Sequence, residues 1–447
     1  MNLQDFQQKL FDAALNDGFS ETEVYFENKE VFGCRIYKGE IDQYEIAEDG
    51  GVSFRGLYNG KMGYAYSEKI DSESIPFLVA SAKENACIIE DESVEDIFSG
   101  SDHYEQGDFF SNELNEVTIQ EKIQLIKDVE KEVLNYDPRI SGTDYCLIKT
   151  VNSTRALSNS KGVSLKDRSN YLFLIVEAIA KDGEETKTGF KYIVTKDFSS
   201  LNAKEIAKQA AEEALSFLGS KSIENKDYPV LLRNDAAANL LATFSSVFSA
   251  ENSQSGRSLL HDKLGTKIAD GKVTITDNPL LKDGVASRTF DGEGVASRIT
   301  KLVHEGVLQS FLHNQKTANK DQTLTTGNAH KESYKSAVTV GPSNLYIEPA
   351  SVSYEELIAS MDEGVIITEL SGLHSGANQI SGDFSVAANG YYVKNGKIET
   401  PVNLMTIAGN FFELLNQVEG IGSDLIFPLS NIGSPSLKIK SLAVTVE

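Results

Sequence analysis

The sequence predicts an α+β protein in two parts, a mixed α/β N-terminal region over 1–222 and a strand-rich C-terminal domain over 223–447. Three observations lead there. At 447 residues the chain exceeds what one ordinary hydrophobic core organises. Helical and strand patterns are segregated rather than strictly alternating, which favours α+β over a doubly wound sheet. The polar stretch Ser220 to Asp227 follows a helix and precedes the strand Pro229-Val230-Leu231-Leu232, so it reads as a linker. The N-terminal region divides again, into subdomains of about 1–110 and 111–222.

Taken in order, Leu3, Phe6, Leu10 and Ala13 fall at helical spacing, with Gly18 as a stop. Short β-branched or aromatic runs follow: Val24 to Phe26, Val31 to Tyr37 and Ile41 to Ile46. Asp49-Gly50-Gly51 and Asn59-Gly60 punctuate them at hairpin distances. Ser72 to Ala86 predicts a helix, and Thr118 caps a longer one carrying Ile119, Ile123, Ile126, Val129 and Val133 on one face. Strands resume at Tyr145 to Ile148, and a hairpin runs through Tyr171 to Ala180, turns at Asp182-Gly183 and returns through Phe190 to Val194. Ala203 to Leu218 is a helix ended by Gly219.

In the second part, Asn234 to Phe248 predicts a helix capped by Asn234. Hairpins turn at His304-Glu305-Gly306 and Asn395-Gly396. A short helix covers Asn410 to Val418, and Leu437 to Val446 closes the chain as a strand.

Composition excludes several classes of function. With 66 acidic against 42 basic residues the net charge is −24, which repels phosphate backbones, so no nucleic-acid partner is expected. No run approaches the roughly 20 apolar residues of a membrane span, so no membrane partner is expected either. The opening Met1-Asn2-Leu3-Gln4-Asp5-Phe6 has neither a basic nor an apolar targeting region, which predicts a cytoplasmic protein. Cys34, Cys87 and Cys146 are scattered and odd in number; they read as small hydrophobes in a reducing compartment.

Motif chemistry is sparse. His304-Glu305 begins like a helical zinc signature, but the positions where a second histidine is needed are Leu308 and Gln309, and Gly306 makes a turn. The other histidines, at 103, 261, 313, 330 and 374, show no ligand spacing. Gly372-Leu373-His374-Ser375-Gly376 is not a nucleophile elbow, because adjacent His and Ser side chains rarely meet as base and nucleophile. Nothing matches a phosphate-cradling loop, and Gly420-Ile421-Gly422 is only a fragment of a dinucleotide fingerprint. Acidic pairs such as Asp91-Glu92 and Glu212-Glu213 mark solvated faces. Residue patterns alone therefore assign no catalytic residue, no metal ligand and no cofactor.

A set of segments in the second half nonetheless goes together. It comprises Phe290-Asp291-Gly292-Glu293-Gly294-Val295-Ala296-Ser297-Arg298, Gly306 to Leu312, Thr326-Gly327-Asn328-Ala329 and Gly372 to Gly376. Ser381-Gly382-Asp383-Phe384-Ser385, Tyr391 to Ile398 and Thr406-Ile407-Ala408-Gly409-Asn410 complete it. In order and spacing over about 229–447 it resembles the TldD/PmbA family, once labelled modulator of DNA gyrase, and specifically its PmbA (TldE) branch.

The resemblance implies two-part α+β subunits that pair as dimers and degrade or trim unfolded peptides. It implies that the zinc site, H-E-x-x-x-H plus a C-terminal cysteine, belongs to a TldD-like partner. The corresponding helix here, Leu240 to Glu251, contains neither histidine, and Gly422 to Leu437 contains no cysteine. The expected role is thus that of a subunit lacking the zinc motif, paired with a TldD-like peptidase or with itself. His374, Ser375, Gly376, Ser381, Gly382, Asp383 and Phe384 are the candidate peptide- or partner-facing residues; the same glycine-rich pattern also suits turns that the fold needs. An independent peptidase and a non-proteolytic regulatory protein stand as alternatives.

Overall fold

The computed structural model describes residues 1–90 and 95–446, so the pair Asp91-Glu92 lies outside the described residues. The N-terminal region is built on one antiparallel sheet: β1 (Phe19–Tyr37), β2 (Glu40–Tyr58), β3 (Lys61–Ser67), β4 (Ile140–Asn159), β5 (Ser164–Asp182) and β6 (Glu185–Thr195). Their spatial order is β3-β2-β1-β4-β5-β6. The sequence suggests several short strands here, whereas four of these run for 19 or 20 residues, roughly 60 Å each. Asp49-Gly50-Gly51 is no hairpin but part of β2, with Gly51 paired to Glu27. A Cβ on Gly51 would lie 2.4 Å from the Tyr334 ring and 2.5 Å from the Ser67 carbonyl oxygen. This glycine makes room for a neighbour; it does not turn the chain. The true turns are Lys38-Gly39 and Asn59-Gly60, where both residues of each pair have positive φ.

Alternation along β1 assigns its two faces. Val24, Phe32, Cys34 and Ile36 point to the helical layer. There α1 (Leu3–Asn16) and α2 (Ser74–Ile88) bury Phe6, Leu10 and Leu78 over one half of the sheet. After the short α3 (Asn112–Glu116), α4 (Ile119–Leu134) and α5 (Ala203–Ser216) bury Ile126, Val129 and Ala210 over the other half. Thr118 and Glu121 form the capping box that starts α4. Cys34 and Cys146 lie in this second cluster, where burial pushes both thiols up, while Cys87 on α2 is exposed. Tyr25 and Glu27 point the other way, toward the C-terminal part.

The C-terminal part is a closed barrel. β7 (Lys226–Leu232) lies between the strands Glu363–Ser371, parallel to it, and Leu437–Val446, antiparallel. Asp383–Lys394 and Lys397–Asn410 follow, and pairing of Met405 to Ala408 with Ala443 to Val446 closes the ring. Closure removes free edges among these five strands. α6 (Asn234–Phe244) packs Leu240, Leu241 and Phe244 into the barrel's core, with the Phe244 and Phe411 rings stacked at 4.7 Å. This helix stops earlier than the sequence suggests: Ser245–Phe248 is a 3₁₀ turn and α7 (Ala250–Gln254) a separate short helix. Asn234 is not the cap either. Its side chain donates to the Asp424 carbonyl oxygen at 2.8 Å, leaving Arg233 at the cap position.

Candidate functional site

The residues singled out in the sequence gather on the barrel rim. Gly372, with φ of 79°, leads into the single helical turn Leu373–Gly376, which exposes His374 and Ser375. Gly376 is held by close packing, since a Cβ there would sit 2.3 Å from the Ser385 carbonyl oxygen. Asn378 accepts the N–H groups of Ile380 and Ser381 through its side chain, at 3.0 and 3.2 Å. Gly382 has φ of 81°, and Ser381 Oγ donates to Asp383 at 2.8 Å. Asn410 Nδ2 donates to the Ser381 carbonyl oxygen and to Asp383, both at 2.9 Å. Those bonds, first from Asn410 and then from Ser381, hold the Asp383 carboxyl below its usual range. Phe384 is buried against Phe244. His374, Ser375 and Asp383 are thus the exposed members of a rim whose glycines and Phe384 shape the backbone.

The most motif-dense segment, Phe290 to Arg298, is placed elsewhere, between the two parts of the chain. Asp291 is fully buried and accepts the N–H groups of Glu293, Val295 and Ala329, each at 2.9 Å. Glu293 takes Arg55 Nη1 at 3.1 Å and the Gln315 N–H at 2.8 Å, while Arg55 Nε reaches Glu23 at 2.7 Å. Lys331 Nζ donates to Ser53 Oγ at 2.9 Å and lies over the rings of Tyr25 and Tyr64. Burial, with Arg55 beside it, pushes the Lys331 ammonium down to about 7. Charges this deep survive only because each has partners. The motif is legible in the sequence; its place as an interdomain weld is not, because Glu23 and Arg55 stand more than 230 residues away.

A second junction is open. β6, α5 and the start of α6 surround a cleft of about 680 Å³ that the loop Leu425 to Pro428 completes. Arg233 spans it, with Nη1 2.6 Å from Glu213 on α5 and Nε 2.8 Å from Asp235 on α6. Burial raises the Glu213 carboxyl despite that pairing.

Among the described residues β6 is the last strand of its sheet and pairs only with β5. The two-residue turn Gly183-Glu184 sets Asp182 and Glu185 face to face as a hydrogen-bonded pair, so Phe190, five positions on, turns its main-chain groups away from β5. Antiparallel ladders alternate with period two, so the main-chain groups of Tyr192 and Val194 also point outward. Phe190 to Val194 all line the cleft. An unpaired strand edge therefore faces a cavity large enough for an extended chain. The sequence reveals β6 as the return of a hairpin, but an open edge is a property of sheet order.

A zinc ion does not fit the helix where the family resemblance would place one. Leu240, Leu241, Phe244, Val247 and Phe248 are buried in the apolar core, and none offers the N, S or carboxylate donor that Zn²⁺ needs. Among the described residues, no three His, Cys, Asp or Glu side chains are grouped to hold a metal. No helix is long and apolar enough to cross a membrane.

Fold and site define a class: a two-part α+β protein with a curled N-terminal sheet, a closed C-terminal barrel and an open strand edge at their junction. Family models described as the PmbA/TldA metallopeptidase domain 1, central domain and C-terminal domain match residues 22–86, 112–218 and 225–446. The chain belongs to the PmbA/TldD metallopeptidase family. It is 29% identical to a Buchnera aphidicola metalloprotease PmbA homolog over 91% of this chain and 89% of the relative. A Thermotoga maritima crystal structure, described as a candidate modulator of a DNA gyrase, is 33% identical with a TM-score of 0.92, covering 99% of this chain and 100% of that one. TldE from Thermococcus kodakarensis shares the fold at a TM-score of 0.90 and 20% identity, covering 98% and 100%.

Proposed function

We propose that this chain is the PmbA/TldE-like subunit of a cytoplasmic peptidase pair. It holds an unfolded peptide in extended form while a TldD-like partner subunit supplies zinc and cuts. The observation that carries this reading is the open β6 edge in the interdomain cleft. Main-chain pairing at Tyr192 and Val194 would capture extended chains with little regard to sequence. The exposed rim residues His374, Ser375 and Asp383 are assigned to contact with the partner or the peptide.

The test measures zinc content and cleavage of an unfolded peptide for this chain, for a TldD-like protein and for the two together. The expected result is little zinc in this chain and cleavage that rises on mixing. Equal cleavage without this chain would sink the reading. Val194→Pro removes one outward N–H from an edge strand, a position where proline is tolerated, so peptide binding should fall while the fold persists.

A further inference from the structure

We infer that the β6 cleft selects among extended peptides, favouring segments in which apolar residues alternate with basic ones and acidic residues are absent. This deepens the peptide-holding reading and rests on it. A strand added to β6 presents its side chains alternately to two different surfaces.

The first surface is apolar. Phe190, Tyr192 and Val194 project from one face of β6, and the Phe190 and Tyr192 rings stack at 5.7 Å with planes 9° apart. Both rings are only half-buried, so they form a shelf beside the unpaired edge. Leu425, Ile426 and Phe427 add apolar surface to the same cleft. Residues at alternate positions of an added strand would lie against this shelf, where aromatic and β-branched cross-strand pairs are favourable.

The second surface is acidic. Gly189, Lys191 and Ile193 point to the opposite face, where α5 packs so close that a Cβ on Gly189 would stand 2.2 Å from the Ala214 nitrogen. From α5 this side receives Gln209, Glu212 and Glu213. Over the whole cleft four carboxylates, Glu212, Glu213, Asp235 and Asp283, face two cations, Lys191 and Arg233. Arg233 is already engaged by Glu213 and Asp235. An incoming basic side chain meets a net negative field, and an acidic one is repelled.

Three labelled ten-residue peptides test this, made of Val-Lys, Val-Glu or Ser-Lys repeats and titrated by fluorescence anisotropy onto the full chain in moderate salt. Val-Lys should bind about tenfold more tightly than either of the others, since both the apolar and the charged contacts are then satisfied. Bound Val-Lys should also slow amide exchange at Tyr192 and Val194. Tyr192→Ser, checked for an unchanged melting curve, should reduce Val-Lys binding to the Ser-Lys level. Equal binding of Val-Lys and Ser-Lys would reduce the effect to bulk charge and overturn the inference. Equal binding of all three would overturn selectivity but leave the peptide-holding reading. Binding of none would overturn both.

Discussion

The two junctions between the parts of this protein are built oppositely. At the Phe290–Arg298 junction the motif's two buried carboxylates are answered: Asp291 by three backbone N–H groups, Glu293 by Arg55 and the Gln315 N–H. At the β6 junction a strand edge is left without a neighbour and a cavity of about 680 Å³ remains. The contrast teaches that the densest sequence motif marks where the parts are joined. The cleft with the open strand edge lies away from that motif.

That difference can be broken from either side. The largest expected effect is at the closed junction. Arg55→Ala strands Glu23 and Glu293 without their buried cation and should cost about 3–5 kcal/mol in urea unfolding. Gly51→Ala comes next, because the added methyl meets the Tyr334 ring and the Ser67 carbonyl oxygen; overpacking of this kind costs about 1–3 kcal/mol.

Lys331 gives a smaller, pH-dependent signature. An unfolded lysine keeps its proton to about pH 10.4, while the folded chain releases it near 7. Between those values unfolding takes up a proton, so this group makes stability rise with pH. Below about 7 the folded chain carries a buried ammonium and loses that contribution. Comparing unfolding at about pH 6.5 and about pH 9.5, Lys331→Met should flatten the slope of the parent chain. An unchanged slope would show that Lys331 is not its source.

The smallest effect belongs to the rim. The double change His374→Ala and Ser375→Ala alters two exposed side chains and should move stability by no more than about 0.5 kcal/mol. A larger loss would mean that the rim is a third structural junction.

By itself the sequence determined the elements whose signals are local. The Thr118 cap, the Asn59-Gly60, Glu305-Gly306 and Asn395-Gly396 turns, and the helix starting at Ala203 all stand where the pattern puts them. It determined the absence of zinc donors on Leu240 to Ser249 as well, because donor chemistry is a property of residue type. The family resemblance rested on similarly local motifs.

Tertiary structure alone decided what depends on neighbours distant in the chain. Gly50-Gly51 looks like a turn until Tyr334 is seen packed against Gly51. The Phe290 motif carries a family resemblance in the sequence, but only the fold brings Arg55 and Glu23 to close over it. The β6 edge is open because five strands, in an order no local pattern specifies, leave it last in the sheet. Strand pairing, desolvation and close packing act across space, so a one-dimensional reading sees the residues involved but not the surfaces they make.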